Sequence, residues 1–162
     1  MDKVVIPSDG TRLQDFTNII HIDIGTTNGQ QDPRRAVIDA ANLGYKVLLY
    51  GASGFEPNTP NTWQAGLDEY QSVVKGYERF IYAVDLTDEP DGRGWSRTQI
   101  ESLVTQAKNT FRGAMPVTVN LDNPAIYSPP RNMDLYMFDY YVNGGGTITT
   151  KPQYDATVDI FI

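Results

Sequence analysis

The stretch Asp85-Leu86-Thr87-Asp88-Glu89-Pro90 sets three carboxylates within five residues and closes them with a proline. Carboxylates held close together raise one another's pKa, so that one stays in the acid form that a general acid requires. Pro90 removes a backbone donor, fixes its own φ and biases Glu89 toward an extended conformation, which would keep Glu89 at the end of an extended segment rather than inside a helix. If the extended geometry persists, strand alternation puts Asp85 and Glu89 on one side and Asp88 on the other. The same tripeptide also reads as a solvated acidic loop, and its place in the fold decides between the two.

Other chemistry-bearing residues are sparse. His21 is the single histidine, which excludes a histidine metal cluster, and a lone strand histidine is more often a hydrogen-bonded core residue than a ligand. No cysteine is present, which excludes thiolate catalysis, thiolate metal sites and redox motifs. Asp23, Asp85, Asp88, Glu89 and Asp122 carry the oxygen ligands a hard cation prefers, but no EF-hand spacing supports a site. Gly51-Ala52-Ser53-Gly54 resembles a glycine-rich turn, yet Phe55-Glu56-Pro57 opens no helix after it and no basic residue accompanies it, which excludes nucleotide binding. No metal and no cofactor is assigned.

The elements that must position these groups follow from periodicity. Five short runs rich in Val, Ile, Tyr and Phe read as buried strands: Asn18 to Gly25, Tyr45 to Gly51, Phe80 to Leu86, Pro116 to Leu121 and Asp134 to Val142. Three helices fall between them. Asp32-Pro33 caps and opens the first, which ends near Gly44. The second starts near Thr59-Pro60 or Asn61 and carries the stripe Trp63, Leu67, Tyr70, Val74 and Tyr77. Ser96 and Gln99 form a capping box for the third, with the stripe Ile100, Leu103, Val104, Ala107 and Phe111 and a stop at Gly113. A weakly marked fourth connection contains Ser128-Pro129-Pro130. Strands alternating with amphipathic helices imply a parallel α/β sheet, either a (β/α) barrel or a doubly wound sheet.

In such folds ligands meet the carboxyl ends of the strands. Those ends carry His21 and Asp23, then Tyr50, then Asp85, Asp88 and Glu89, then Asn120 and Asp122, then Asp139, Tyr140 and Tyr141. The polar residues collect at this one rim.

The chain has 162 residues and reads as one domain over 1–162, with an uncertain tail over 143–162 after Asn143-Gly144-Gly145-Gly146. Short pieces at 3–6, 146–150 and 158–162 bring the strand-like segments to eight. A full (β/α)8 barrel needs about 250 residues, so the expectation is a partial or compact barrel with parallel strands. The net charge is -7, and Arg34-Arg35 is the one basic pair, which disfavours nucleic acid. No apolar run approaches the ~20 residues of a membrane span, and no signal-like segment opens the chain. The acidic, Tyr-rich and Asn-rich character suits a neutral polar ligand such as carbohydrate, and equally suits solubility.

Three stretches carry a family resemblance. Tyr82-Ala83-Val84-Asp85-Leu86-Thr87-Asp88-Glu89-Pro90 resembles the fourth strand of glycoside-hydrolase-like TIM barrels, Ala40 to Leu49 their preceding helix-Gly-strand unit, and Asp134 to Tyr141 their sixth strand, which often ends in Asp-Tyr-Tyr. The resemblance spans about Asn18 to Val142. It implies a TIM-barrel-like fold in which Glu89 is the general acid/base and Asp139 the second carboxylate. It also implies that Asp85, Asp88, Asp122, Tyr140, Tyr141, His21, Tyr50 and Trp95 contact a saccharide. In the largest clan of these barrels a later glutamate is the nucleophile, and here no glutamate follows Glu101. Asp139 or Asp122 then substitutes, another chain supplies the group, or the reaction has been lost.

Two functions stay open. One is a glycosidase-like enzyme acting on polysaccharide. The other is a non-catalytic structural or carbohydrate-binding subunit, a homo-oligomer or part of a larger assembly such as a virus particle, at an extracellular or virion surface. A doubly wound sheet of the flavodoxin type is the third and weakest reading, because no phosphate-cradling loop follows the first strand.

Overall fold

A computed structural model describes residues 18–25, 32–52, 54–121 and 130–138. Within them the chain forms β1 (Ile19–Asp23), α1 (Pro33–Asn42), β2 (Lys46–Tyr50), α2 (Trp63–Val74), β3 (Ile81–Asp88), α3 (Arg97–Phe111), β4 (Val117–Leu121) and β5 (Met137–Phe138). The expected pieces at 3–6, 146–150 and 158–162, the tail over 143–162, and most of the fourth connection lie outside these residues.

The helix boundaries follow their capping chemistry. The Asp32 carboxylate accepts the Arg34 N–H at 3.0 Å, with Pro33 at the first helical position. Gly44 ends α1 at φ +85°, and the N–H groups of Gly44 and Tyr45 donate back to Ala41 and Ala40 at 3.0 Å each. The Ser96 and Gln99 capping box is formed reciprocally at α3. The second helix starts later than expected. Pro60–Thr62 is a 3-10 turn and α2 begins at Trp63, whose indole N–H donates to the Glu56 carbonyl at 2.8 Å. Its far end is capped from α1: the Arg34 guanidinium donates to the carbonyls of Ser72, Val73 and Lys75 at 3.1–3.2 Å.

The sheet order is β1-β2-β3-β4-β5, and every neighbouring pair is parallel. Each strand is thus laid beside the one before it. A doubly wound sheet must reverse its strand order at a switch point, and the sheet formed by the described residues does not. The helices also share one layer, because α1 packs on α2 and α2 on α3. The flavodoxin-type alternative is therefore corrected. The arrangement is α/β with a parallel sheet and three helices, compatible with part of a barrel-like fold.

The register divides the sheet into two faces. Ile22, Leu49, Val84 and Val117 are aligned across the strands and buried against Val37, Leu67, Tyr70, Ile100, Leu103 and Phe111 of the helices. The opposite face carries His21, Leu48, Ala83, Asp85, Thr118 and Asn120. One face of the sheet thus supplies the apolar core, and the other collects polar side chains toward the strand ends.

Arg34 and Arg35 are neighbours with different work. Arg35 forms an exposed i,i+4 pair with Asp39 at 3.0 Å, of the kind that contributes little. Arg34→Met is expected to lower unfolding stability by about 1–2 kcal/mol, and Arg35→Met by less than about 0.5 kcal/mol, in urea titrations of both variants.

Candidate functional site

The end of β3 is irregular, and the site is built on that irregularity. Asp85 pairs with Thr118 and Asp88 with Asn120, so β3 uses three steps where β4 uses two. The extra residue is a β-bulge, which reverses the alternation beyond it. Asp85 and Asp88 therefore share a face, and Asn120 meets both: its backbone N–H donates to Asp85 Oδ1 at 3.1 Å and its side-chain amide to Asp88 Oδ1 at 2.9 Å. The expectation that Asp85 sides with Glu89 against Asp88 is corrected, because extended geometry does not persist through the segment.

Glu89 is the second departure. Its φ is +42°, in the left-handed region, although Pro90 follows it. Local preference favours an extended residue before proline; two backbone hydrogen bonds override it. The Glu89 N–H donates to the Asn120 carbonyl at 2.8 Å, and the Glu89 carbonyl accepts the Arg93 N–H at 3.1 Å. The chain then turns through Pro90–Trp95, with Gly94 N–H to Asp91 at 3.1 Å and Trp95 N–H to Pro90 at 2.9 Å. The Arg93 guanidinium reaches back to donate to the Thr87 hydroxyl, which closes the turn over the strand end.

The expectation that Trp95 contacts a saccharide is corrected. Trp95 is 3% exposed and stacks on Trp63 with ring centroids 5.9 Å apart, so it anchors the turn to α2 instead of presenting a face to a saccharide. Tyr70, from the same stripe of α2, has a second use beyond packing. Its buried hydroxyl accepts the Ala52 N–H at 3.3 Å and donates to the Asp85 carbonyl at 2.7 Å, which links the loop after β2 to β3. Burial pushes this phenol far above the ordinary tyrosine range, so the hydroxyl keeps its proton.

Tyr50 stands at the end of β2, and His21 at β1 packs its ring against it at a centroid distance of 5.5 Å and a tilt of 49°. Partial burial raises the Tyr50 pKa first, and the charges of Asp88, Asp85 and Asp23 raise it further, with Arg93 opposing. That combination places Tyr50 among the carboxylates. Asp23 accepts the Gly25 N–H at 2.8 Å. Gly51, at φ +95°, allows its close approach, since a Cβ there would sit 1.9 Å from Asp23 Oδ1.

The structure thus brings Asp85, Asp88 and Tyr50 together toward the strand ends, with His21 packed on Tyr50 from the middle of β1 and Glu89 next along the backbone from Asp88, while Trp95 is buried on Trp63. Asp122, Asp139, Tyr140 and Tyr141 lie outside the described residues. Arg93, Thr87 and Tyr70 were missing from the expected set, and Asn120 stood in it at the rim without a role. Arg93 had a signal in the sequence, as the one cation in the acidic stretch from Asp85 to Trp95. No group of three or more His, Asp or Glu side chains is arranged to hold a metal ion among the described residues. A separate cavity of about 620 Å³ lies on the outer flank between α2 and α3, bordered by Gln64, Thr98, Glu101 and Gln106. Its one carboxylate is occupied: hydrogen bonds from Arg97 and then from the Arg131 N–H hold Glu101 below the usual carboxylate range.

No family model and no curated protein matches this sequence. Among solved structures, the chain is similar to the β-glucuronidase from Ruminococcus gnavus in complex with D-glucuronic acid, with a TM-score of 0.54 and 14% sequence identity over 90% of this chain. The chain spans 25% of that structure's chain. At this identity the likeness shows a related fold: an α/β arrangement resembling part of a glycoside hydrolase. No helix among the described residues is long and apolar enough to cross a membrane.

The backbone at Glu89 can be tested apart from its carboxylate. A left-handed φ costs an L-residue roughly 1–2 kcal/mol and glycine far less. Glu89→Gly is therefore expected to be more stable than Glu89→Ala by about 1 kcal/mol in denaturant titration, the reverse of the order at an ordinary strand position. Equal stabilities would show an unstrained residue.

Proposed function

We propose that this chain is a glycoside-hydrolase-like domain that acts on or binds polysaccharide, with Glu89 as the general acid/base. The observation that carries the reading is the placement of Glu89 at the carboxyl end of a parallel strand, beside a bulge that turns Asp85 and Asp88 to one face. Strained backbone at a polar strand end is what functional sites retain and purely structural strands lose. The likeness in fold to a glycoside hydrolase points the same way.

In this reading Glu89 delivers a proton to the glycosidic oxygen as the bond to the leaving sugar breaks. Asp139 is the second carboxylate, with Asp122 the substitute. A separation of about 5–5.5 Å between the two would favour a covalent, retaining route, and about 6.5–9.5 Å an inverting one with a water between. Tyr50 and His21 offer ring surface and polar tips to a sugar, and Asp85 and Asp88 take hydroxyl groups or hold their neighbours. Tyr140 and Tyr141 complete the saccharide contacts.

The second reading is a carbohydrate-binding or structural subunit of an oligomer or larger assembly. The observation favouring it is that Asp85 and Asp88, the aspartates of β3, are both hydrogen-bonded to Asn120.

Glu89→Gln separates them. It is expected to lower hydrolysis of a responsive glycan by at least about 10²-fold, the scale of a lost general acid, with an unchanged unfolding midpoint. Wild type and variant acting alike across a broad glycan panel would end the catalytic reading. Retained glycan binding, or a defined assembly by mass in solution, would then support the second.

A further inference from the structure

The two aspartates of β3 and Glu89, which follows the strand, share one neighbour on β4. Asn120 uses its N–H for Asp85 Oδ1 at 3.1 Å, its side-chain amide for Asp88 Oδ1 at 2.9 Å, and its carbonyl for the Glu89 N–H at 2.8 Å. It is 7% exposed and Asp85 4%, so water screens the contact between them poorly. We propose that Asn120 is the positioning residue of the site, its side-chain amide fixing the Asp88 carboxylate on the Asp85 face and thereby setting where Glu89 leaves the sheet. What the positioned groups accomplish rests on the glycoside-hydrolase-like reading; the positioning rests on the geometry.

The chemistry requires an amide at this position. A bulge leaves one residue unpaired and its direction weakly determined. A donor aimed at Asp88 determines it. Aspartate has the same shape but offers an acceptor, and two carboxylates at hydrogen-bond distance must share a proton or move apart. Serine is too short to reach. Among the described residues, the titratable groups around this position include Asp85 and Asp88 from β3, Glu89 just after it, Tyr50 from β2, Asp23 from β1 and Arg93 from the turn, while Met137 of β5 lies opposite. The pH effect expected of the Asn120→Asp variant is therefore read as a difference from wild type, which carries the other groups unchanged.

The experiment compares wild type, Asn120→Asp and Asn120→Ser. The unfolding midpoint of each is measured from about pH 4.5 to about pH 7.5, a range that spans a raised carboxylate pKa. In Asn120→Asp the new pair binds a proton more tightly folded than unfolded. Its contribution is present at the acid end and is lost as pH rises through the raised folded pKa. The deficit of Asn120→Asp relative to wild type is expected to grow toward neutral pH, and that of Asn120→Ser to stay constant. A deficit of Asn120→Asp that is the same at both ends overturns the proposal. On a glycan that wild type hydrolyses, Asn120→Asp should move the optimum to lower pH and reduce kcat at neutral pH by about tenfold or more, with KM little changed. A profile scaled down equally at every pH marks a merely structural role and also overturns it. If wild type hydrolyses no glycan, the catalytic reading fails, and the stability comparison still decides the positioning.

Discussion

Between Asp85 and Asp88, β3 spends one residue more than β4. In a regular strand Asp88 would follow Leu86 onto the helix side of the sheet, into a layer formed by Leu49, Val84, Val119 and Leu103. A carboxylate in that layer would be desolvated without a partner, at a cost far above that of a bulge. The extra residue turns Asp88 to the polar face, where Asn120 receives it. The apolar layer stays unbroken, and a pair of aspartates is brought to one face. Core and rim are therefore two outcomes of one register shift.

The strain at Glu89 is retained because the surroundings over-determine it. Its N–H is tied to β4 and its carbonyl to the turn, and the turn is fixed at both ends. Arg93 closes it over Thr87 at one end, and Trp95 is buried on Trp63 at the other. Stacked, fully buried indoles contribute more than a strained φ costs. The α2 stripe thus serves the rim as well as the core: Trp63 holds the turn, and Tyr70 carries a hydroxyl up to Ala52 and Asp85. Arg34 in turn fixes the end of α2, so α1 supports the same platform.

The elements were legible in the sequence because their signals are local. The Asp32-Pro33 start, the Gly44 stop and the box of Ser96 with Gln99 each act within a few residues, and each forms as expected. The stripe of α3 faces the core for the same reason. The bulge was not legible, since it depends on what β4 offers opposite β3. The conformation of Glu89 was misread because proline's preference for its predecessor is local, while the bonds from Asn120 and Arg93 are tertiary. Trp95 looked like a rim aromatic because nothing near it in sequence reveals Trp63 waiting on α2. Asn120 was visible at the rim, but its contacts with three separate residues exist only once the strands pair.

The hydrogen bonds also bear on which carboxylate can act beside Glu89 in the proposed hydrolytic reading. Asp85 is nearly inaccessible, and one of its oxygens accepts the Asn120 N–H. Asp88 has an oxygen committed to the Asn120 amide. A nucleophile must approach an anomeric carbon with an open lone pair, and a general base needs a water at its free oxygen. Two aspartates spent on holding β3 to β4 are poorly suited to either task and well suited to keeping Glu89 in place. In the proposed hydrolytic reading the second carboxylate comes from another strand, and the next one along the sheet, β5, is followed in sequence by Asp139. In the proposed reading the acidic cluster is one reacting group, Glu89, held in place by Asp85 and Asp88 through Asn120.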